Sequence, residues 1–145
     1  MSNRISIKNL EPAAYKAMLQ LETYLEGTVI SPLHQEMIRV RASQINGCAY
    51  CIDAHTQDAR KAGETERRVY ALSVWRETPF FTEEERAILE LTEAVTVINK
   101  GVPDEVYQLA AKVLDEHYLA QVIMAIITIN AWNRIGISTG MQLEI

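Results

Sequence analysis

The chain has 145 residues, 19 acidic and 14 basic side chains, and a formal charge of −5, a size that fits one domain with a sizeable core. Its hydrophobic content of 48% and the lack of low-complexity tracts exclude an intrinsically disordered chain. The acidic balance argues against a nucleic-acid binder, which normally presents a basic surface to phosphates. We therefore expect residues 1–145 to form a single domain.

Helix start and stop signals recur along the first half of the chain. Pro12 is suited to a first helical turn, and Gly27 is placed to end that helix in the left-handed conformation. Ser31, which precedes a proline, repeats the start signal, and the Asn46–Gly47 pair breaks the helix that follows. The next helical stretch is expected over about residues 48–61.

The second half continues in the same way. Thr65 is a candidate N-cap, and Thr82 with Glu85 forms the pattern of a capping box. The uncharged run from Tyr118 to Asn133 is shorter than the roughly 20 apolar residues of a membrane span. It predicts a helix over about 118–137 that is central or covered by another subunit. The pattern predicts an all-α bundle of about seven helices.

The compartment is inferred from two features. Residues 1–8 alternate polar and apolar side chains and lack the continuous apolar segment of a secretory signal. The chain has two cysteines, Cys48 and Cys51, whereas a secreted disulfide framework would spread several pairs along the sequence. We expect a soluble, cytoplasmic protein that does not bind a membrane.

Cys48 and Cys51 follow Gly47 directly, so they are expected on the first turn of a helix. Residues three apart in a helix have Cα atoms roughly 5 Å apart, which lies within the range that a disulfide needs. Unpaired N–H groups at a helix N-terminus favour the thiolate over the thiol. The pair is therefore a candidate two-electron redox centre.

His55 lies four residues after Cys51, one turn along the same helix face. Its imidazole is placed to take the proton of a thiol. If the turn at Gly47 folds the two helices antiparallel, Glu36 approaches His55 and fixes its tautomer or serves as the terminal base. The candidate catalytic residues are thus Cys48, Cys51, His55 and Glu36.

Other interpretations of these residues exist. Zinc is the sharpest rival, because Cys48, Cys51 and His55 are three possible ligands and Glu36 a fourth, although a domain with this much core does not need a metal to fold. A thiol-disulfide exchange or sensor protein is another alternative. Glu36 taken alone is interpreted as a solvated helix carboxylate. We expect no metal and no cofactor.

The remaining histidines and three methionines have simpler explanations. His34 and His117 lie outside any ligand-like cluster and are expected to be surface or hydrogen-bonded residues. The methionines are expected to fill the core: Met18, Met37 and Met124.

The spacing of Glu36, Cys48, Cys51 and His55 resembles the motif of the AhpD-like alkylhydroperoxidases, within the carboxymuconolactone decarboxylase superfamily. The resemblance extends over about residues 4–140 and includes four flanking blocks: 41–48, 63–65, 75–77 and 130–134. One departure is Tyr50, since the best-known members have a histidine just before the second cysteine.

The resemblance implies an all-α fold that assembles as a homotrimer or homohexamer, with peroxidase activity at the cysteine pair. It implies that Glu36, His55 and a water relay the proton that activates a cysteine. Because the decarboxylase branch lacks the cysteine pair, that reaction is not expected.

The expected partners are a hydroperoxide substrate and a dithiol reductant, either a protein or a small molecule. We assign Cys51 as the attacking thiol because His55 lies one turn from it, with Cys48 as the resolving thiol. The converse stays open, since in many CxxC proteins the first cysteine is the nucleophile.

Overall fold

The computed structural model describes residues 4–143, and in that range it contains helices and turns but no β-strand. The all-α prediction is thus confirmed. The α-helices of this range, numbered in chain order, are α1 Ile7–Leu10, α2 Pro12–Glu26, α3 Pro32–Asn46, α4 Ala49–Lys61, α5 Glu66–Ala71, α6 Glu83–Thr96, α7 Asp104–Val113 and α8 Glu116–Thr139. Two 3-10 segments, Leu72–Glu77 and Ile98–Lys100, follow α5 and α6.

Local capping explains why these helices begin where the sequence predicted. Ser31 stands at the N-cap position of α3 without a side-chain cap bond, and the proline in the first turn favours the start of the helix there. The Thr65 hydroxyl accepts a hydrogen bond from the N–H of Arg68 at the start of α5. At the start of α6, Thr82 and Glu85 exchange the two reciprocal bonds of a capping box, which satisfies two N–H groups that the helix leaves free.

The N-terminal half contains one helix that was not predicted and one expectation that was wrong. The short helix α1 was not predicted, because its residues show no helical periodicity; it is held by the Ser6 side chain, which accepts from the N–H of Asn9. Gly27 has a φ of −86°, so it is not left-handed. The chain leaves α2 through a right-handed turn, in which the N–H of Gly27 donates to the carbonyl of Tyr24. Gly47, by contrast, has a φ of +72° and ends α3 as expected.

Helices α3, α6 and α8 form the centre of the bundle, and each packs against the other two. Their fully buried apolar side chains include Ile38, Val40, Ile88, Leu89, Leu91, Val122, Ile126 and Ile129. Burying such a side chain stabilises the fold by about 1.5–3 kcal/mol relative to leaving it in water. The site described below is built on this rigid centre.

Helix α8 is the one helix among the described residues long and apolar enough to cross a membrane by length and composition. Val122, Ile126 and Ile129 are nevertheless buried, and α8 packs against α3 and α6. The core helix of a soluble protein has the same composition, and these contacts identify α8 as the central helix that the sequence predicted. Ile127, on the outer face, is 45% exposed.

A buried polar network joins the last turn of α3 to α8. The side-chain amide of Asn46 donates to Oδ1 of both Asn130 and Asn133, each at 2.9 Å. The amide of Asn133 in turn donates to the Ser43 hydroxyl at 2.9 Å. Because buried amides are costly to leave unpaired, this network fixes where α3 ends and therefore where α4 begins.

Candidate active site

The two cysteines lie at the start of α4, as the sequence predicted. Cys48 is the N-cap and Cys51 stands in the first turn. Their Cα atoms are 5.3 Å apart, and the two sulfurs are at disulfide distance. The exposed fractions of Cys48 and Cys51 are 2% and 5%. The pair is thus a preformed, largely buried dithiol/disulfide couple.

In the reduced form, the local backbone favours a thiolate over a thiol at Cys48. The first turn of α4 contains no acidic residue, so the positive end of the helix dipole is not neutralised by its own helix. The N–H of Cys51 points at Sγ of Cys48, at 3.4 Å. Free N–H groups and the dipole both favour a thiolate at this position.

His55 joins the site one turn further along α4. Its Nδ1 lies 3.0 Å from Oε2 of Glu36, nineteen positions earlier in the sequence. The left-handed turn at Gly47 folds α3 and α4 together, so the predicted approach of Glu36 to His55 is confirmed. When Nδ1–H donates to the carboxylate, Nε2 carries the lone pair and is the nitrogen able to accept a proton.

The interpretation of Glu36 as a solvated carboxylate is wrong. Glu36 is 7% exposed, and Nη1 of Arg39 donates to its Oε1 at 2.5 Å. Burial alone raises the pKa of the Glu36 carboxyl, but the hydrogen bond from His55 and the charge of Arg39 outweigh it, so the pKa lies below its ordinary value. At neutral pH Glu36 is therefore an anion that holds His55.

A cavity of about 200 Å³ opens beside the second cysteine. It is lined by Glu22, Tyr50, Cys51, Ala54, His55, Trp132 and Met141. Cys51 is part of this lining and Cys48 is not. Aromatic rings and a thioether make its walls mostly apolar, which suits an organic ligand with one reactive polar group.

Several of these residues were not predicted as part of a site. Glu22, Arg39 and Met141 come from α2, α3 and the segment after α8, and no motif in the sequence marks them. Trp132 of α8 lines the cavity, and its Nε1 donates to Oε1 of Glu22 at 2.9 Å. Only helix packing brings them to the cysteines.

Gly136 of α8 lies directly against the sulfur pair. A Cβ atom at this position would lie 3.3 Å from Sγ of Cys48 and 3.9 Å from Sγ of Cys51. The first of these distances is tighter than an ordinary contact between carbon and sulfur. Because glycine has no side chain, α8 is able to pack directly against the buried side of the sulfur pair.

The site also contains a group of potential metal ligands. One ligand atom each from Glu36, His55 and Asp58 lies within 4.8 Å of the others. Arg39 already occupies one oxygen of Glu36, and Lys61 lies 3.3 Å from the Asp58 carboxylate. This set differs from the predicted zinc ligands, because the two sulfurs bond to each other. The arrangement suits acid–base chemistry better than metal binding.

The remaining two histidines are as expected. Nδ1 of His34 lies 2.7 Å from the Tyr118 hydroxyl, which accepts from the N–H of Ser31. His117 is exposed. Neither contributes to the cavity.

Comparison with known proteins supports the relationship that the motif indicated. Residues 12–94 match the model of the carboxymuconolactone decarboxylase family. The uncharacterized protein YdfG of Bacillus subtilis (strain 168) is 45% identical over 141 residues, which are 97% of this chain and 96% of YdfG.

Solved structures show the same fold. A protein of unknown function from Agrobacterium tumefaciens, ATU0492, for which an antioxidant defence role as AhpD has been suggested, superposes with a TM-score of 0.95 at 35% identity, over 100% of this chain and 99% of that one. The debrominase Bmp8, in complex with 2,3,4-tribromopyrrole, has a TM-score of 0.84 at 20% identity, over 92% and 72%; at that identity the likeness concerns the fold alone. The chain belongs to the carboxymuconolactone decarboxylase family and is a close structural match to its AhpD-like proteins.

Proposed function

We propose that this protein is a thiol-dependent peroxidase that reduces organic hydroperoxides through the Cys48–Cys51 couple. The observation that carries the proposal is that Cys51 and His55 line one cavity while Glu36 holds Nδ1 of His55. A nucleophile, its base and a group that orients the base form the arrangement typical of activated thiols.

The first step is attack of the Cys51 thiolate on the distal oxygen of the hydroperoxide. The O–O bond breaks, an S–O bond forms, and the leaving alkoxide takes a proton from His55 to give an alcohol. The product on the enzyme is a sulfenic acid at Cys51. Glu36 stabilises the imidazolium that forms when His55 first takes the thiol proton.

In the second step the Cys48 thiol condenses with the sulfenic acid, which forms the disulfide and releases water. A dithiol reductant then restores both thiols by exchange and is itself oxidised to a disulfide. No metal or cofactor takes part. The reductant is a protein or small dithiol, and the setting is the cytoplasm, without membrane or nucleic acid.

The assembly is proposed as a homotrimer or homohexamer. A groove of about 590 Å³, separate from the cavity beside Cys51, supports an oligomer, because apolar side chains of α6, α7 and α8 dominate its lining. Ile98 and Ile127 in this lining are 55% and 45% exposed, and such apolar surface is typical of protein–protein contacts.

The decisive experiment follows hydroperoxide consumption with a dithiol reductant in excess, for the native protein and its Cys48→Ser and Cys51→Ser variants. We expect turnover in the native protein, none in Cys51→Ser, and a much lower rate in Cys48→Ser, whose Cys51 sulfenic acid only the added dithiol is able to reduce. Faster oxidation by a small disulfide than by hydroperoxides would instead indicate a thiol-disulfide exchange protein, and one tightly held zinc per chain after reducing purification would favour the metal interpretation.

One further compound sharpens the assay. The cavity walls include the aromatic rings of Tyr50 and Trp132, which suit a flat ring, and 2,3,4-tribromopyrrole is the ligand in the Bmp8 complex. Dithiol-dependent bromide release faster than hydroperoxide consumption would overturn the peroxidase proposal.

A further inference from the structure

The hydrogen-bond network of the candidate site continues beyond Glu36 to a second carboxylate. Arg39 of α3 joins the two: Nη1 donates to Oε1 of Glu36 at 2.5 Å, and Nη2 donates to Oε2 of Glu22 at 2.8 Å. The Arg39 side chain is 12% exposed. A guanidinium with two separate donor nitrogens is able to bridge carboxylates from different helices in one fixed geometry.

Glu22 is itself held at both oxygens. Its Oε2 accepts from Arg39, and its Oε1 accepts from the indole Nε1 of Trp132 at 2.9 Å. Glu22 and Trp132 both line the cavity beside Cys51. Hydrogen bonds thus run without a break from Trp132 in α8 through α2 and α3 to His55 in α4.

This chain of hydrogen bonds decides how Glu36 meets His55. Because Arg39 takes Oε1 of Glu36, Oε2 is the oxygen left for Nδ1 of His55. The charged and titratable groups that face Glu36 are Arg39, His55 and Asp58, with Glu22 one step further away. The hydrogen bond from His55 and the charge of Arg39 together keep the pKa of Glu36 below its ordinary value despite burial.

We infer that Glu22 and Arg39 are positioning residues of this site: Glu22 holds Arg39, and Arg39 holds Glu36 in the one orientation that aims its free oxygen at His55. The expected effects on the rate rest on the proposed function, whereas the expected effect on the orientation of Glu36 and on the His55 tautomer does not. Neither residue belongs to the motif of Glu36, the two cysteines and His55.

The first test compares Arg39→Met with Arg39→Lys. Methionine removes the cation, so the His55 hydrogen bond alone opposes the effect of burial and the pKa of Glu36 rises. We expect kcat/KM at neutral pH to fall roughly 10-fold to 100-fold, the scale of a misplaced catalytic group, and the acid limb of the pH–rate profile to move to higher pH. Lysine keeps the positive charge but lacks the two separate donor nitrogens of the guanidinium. It should therefore return the acid limb to its native pH and restore part of the rate.

The second test uses Glu22→Gln, alone and combined with Arg39→Met, with the exposed Glu26→Gln on the same helix as the matched control. We expect Glu22→Gln to lower kcat/KM several-fold and Glu26→Gln to leave it unchanged. In the Arg39→Met background the effect of Glu22→Gln should vanish, since residues that act through one another are non-additive. An equal loss in both backgrounds would overturn the inference, because Glu22 would then act on its own.

A readout independent of peroxide turnover separates this inference from the proposed function. Nitrogen NMR of the His55 ring in the disulfide form, where no thiol is present to give the ring its proton, reports which nitrogen carries the proton. We expect the Nδ1–H form at neutral pH in the native protein, and loss of that preference in Arg39→Met with restoration in Arg39→Lys. An unchanged His55 tautomer in folded Arg39→Met would overturn the inference whether or not the protein consumes peroxide.

Discussion

Glu36 and His55 are nineteen residues apart in the chain, yet Oε2 of one lies 3.0 Å from Nδ1 of the other. The contact spans the turn between α3 and α4, where Gly47 adopts a φ of +72°. It links a buried anion to an imidazole that shares a cavity with Cys51. The proposed activation of the thiol therefore depends on residues from two helices.

Replacing His55 by alanine should slow peroxide reduction at neutral pH roughly 100-fold or more, the scale of a lost general base. The thiolate fraction of the reduced protein should fall with it, because the imidazole no longer takes the thiol proton. Stopped-flow peroxide reduction over a pH series measures both effects. The control is His117→Ala at an exposed position. An unchanged pH–rate profile would remove His55 from the mechanism.

The attacking cysteine is identified by trapping the sulfenic acid with dimedone. Cys51 lines the cavity and Cys48 does not, so Cys48→Ser should accumulate a trapped sulfenate after one equivalent of hydroperoxide. Cys51→Ser should give little or none. Mass spectrometry of the labelled peptide distinguishes the two. Sulfenate formation at full rate in Cys51→Ser would reverse the assignment.

Gly136→Ala tests whether the room left by α8 matters to the sulfur couple. The added methyl would lie 3.3 Å from Sγ of Cys48, so the sulfur must move by a few tenths of an ångström. We expect disulfide formation after stoichiometric peroxide to slow several-fold. The higher helix propensity of alanine, about 1 kcal/mol, should keep the free energy of unfolding within about 1 kcal/mol of the native value.

Gly27→Ala is the matched control. Gly27, like Gly136, does not have a positive φ, and a Cβ atom added to Gly27 would lie 3.5 Å from its nearest neighbour, which is an ordinary contact. Rapid-quench alkylation of free thiols gives the closure rate. Equal closure rates in both variants would contradict the prediction.

Acid should destabilise the protein partly through Glu93. Burial raises the pKa of the Glu93 carboxyl, but hydrogen bonds from Trp75, Arg76 and Arg41 outweigh it, so the pKa lies below its ordinary value of 4.5. A lowered folded-state pKa gives stability that is present above 4.5 and is lost as the pH falls through the folded value.

Glu93→Gln should therefore lower the free energy of unfolding at neutral pH by about 1–3 kcal/mol. As the pH falls below 4.5, the variant should lose less of its remaining free energy of unfolding than the native protein loses. Urea unfolding followed by circular dichroism measures this, with Glu26→Gln as the exposed control. Parallel pH curves for Glu93→Gln and the native protein would contradict the assignment.

The apolar groove on α6, α7 and α8 should be covered in the assembly. Ile127→Glu places a charge in that groove, and desolvating it costs several kcal/mol, so light scattering should show dissociation toward the monomer. Tyr70→Glu, at an exposed aromatic residue outside the groove, should leave the mass unchanged. A native protein that scatters as a monomer would show that the groove has another role.

Local chemistry could be predicted wherever one stretch of chain settles it. The capping box of Thr82 and Glu85, the turn at Gly47, and the approach of Cys48 to Cys51 each depend on backbone geometry within a few residues. The pairing of Glu36 with His55 was also predicted, because a single tight turn connects the two helices. Gly27 was missed because either hand of turn suits a glycine there.

The sequence by itself determined the helical punctuation and the cysteine–histidine spacing, since both follow from the rise and pitch of one helix. Tertiary structure alone decided that Glu36 is buried, that Arg39 and Glu22 extend its contacts, and that Trp132 and Met141 wall the cavity. Those side chains come from separate parts of the chain, and their meeting depends on how α2, α3 and α8 pack. Burial then decides their charge states, because the solvation of a carboxylate depends on every element around it.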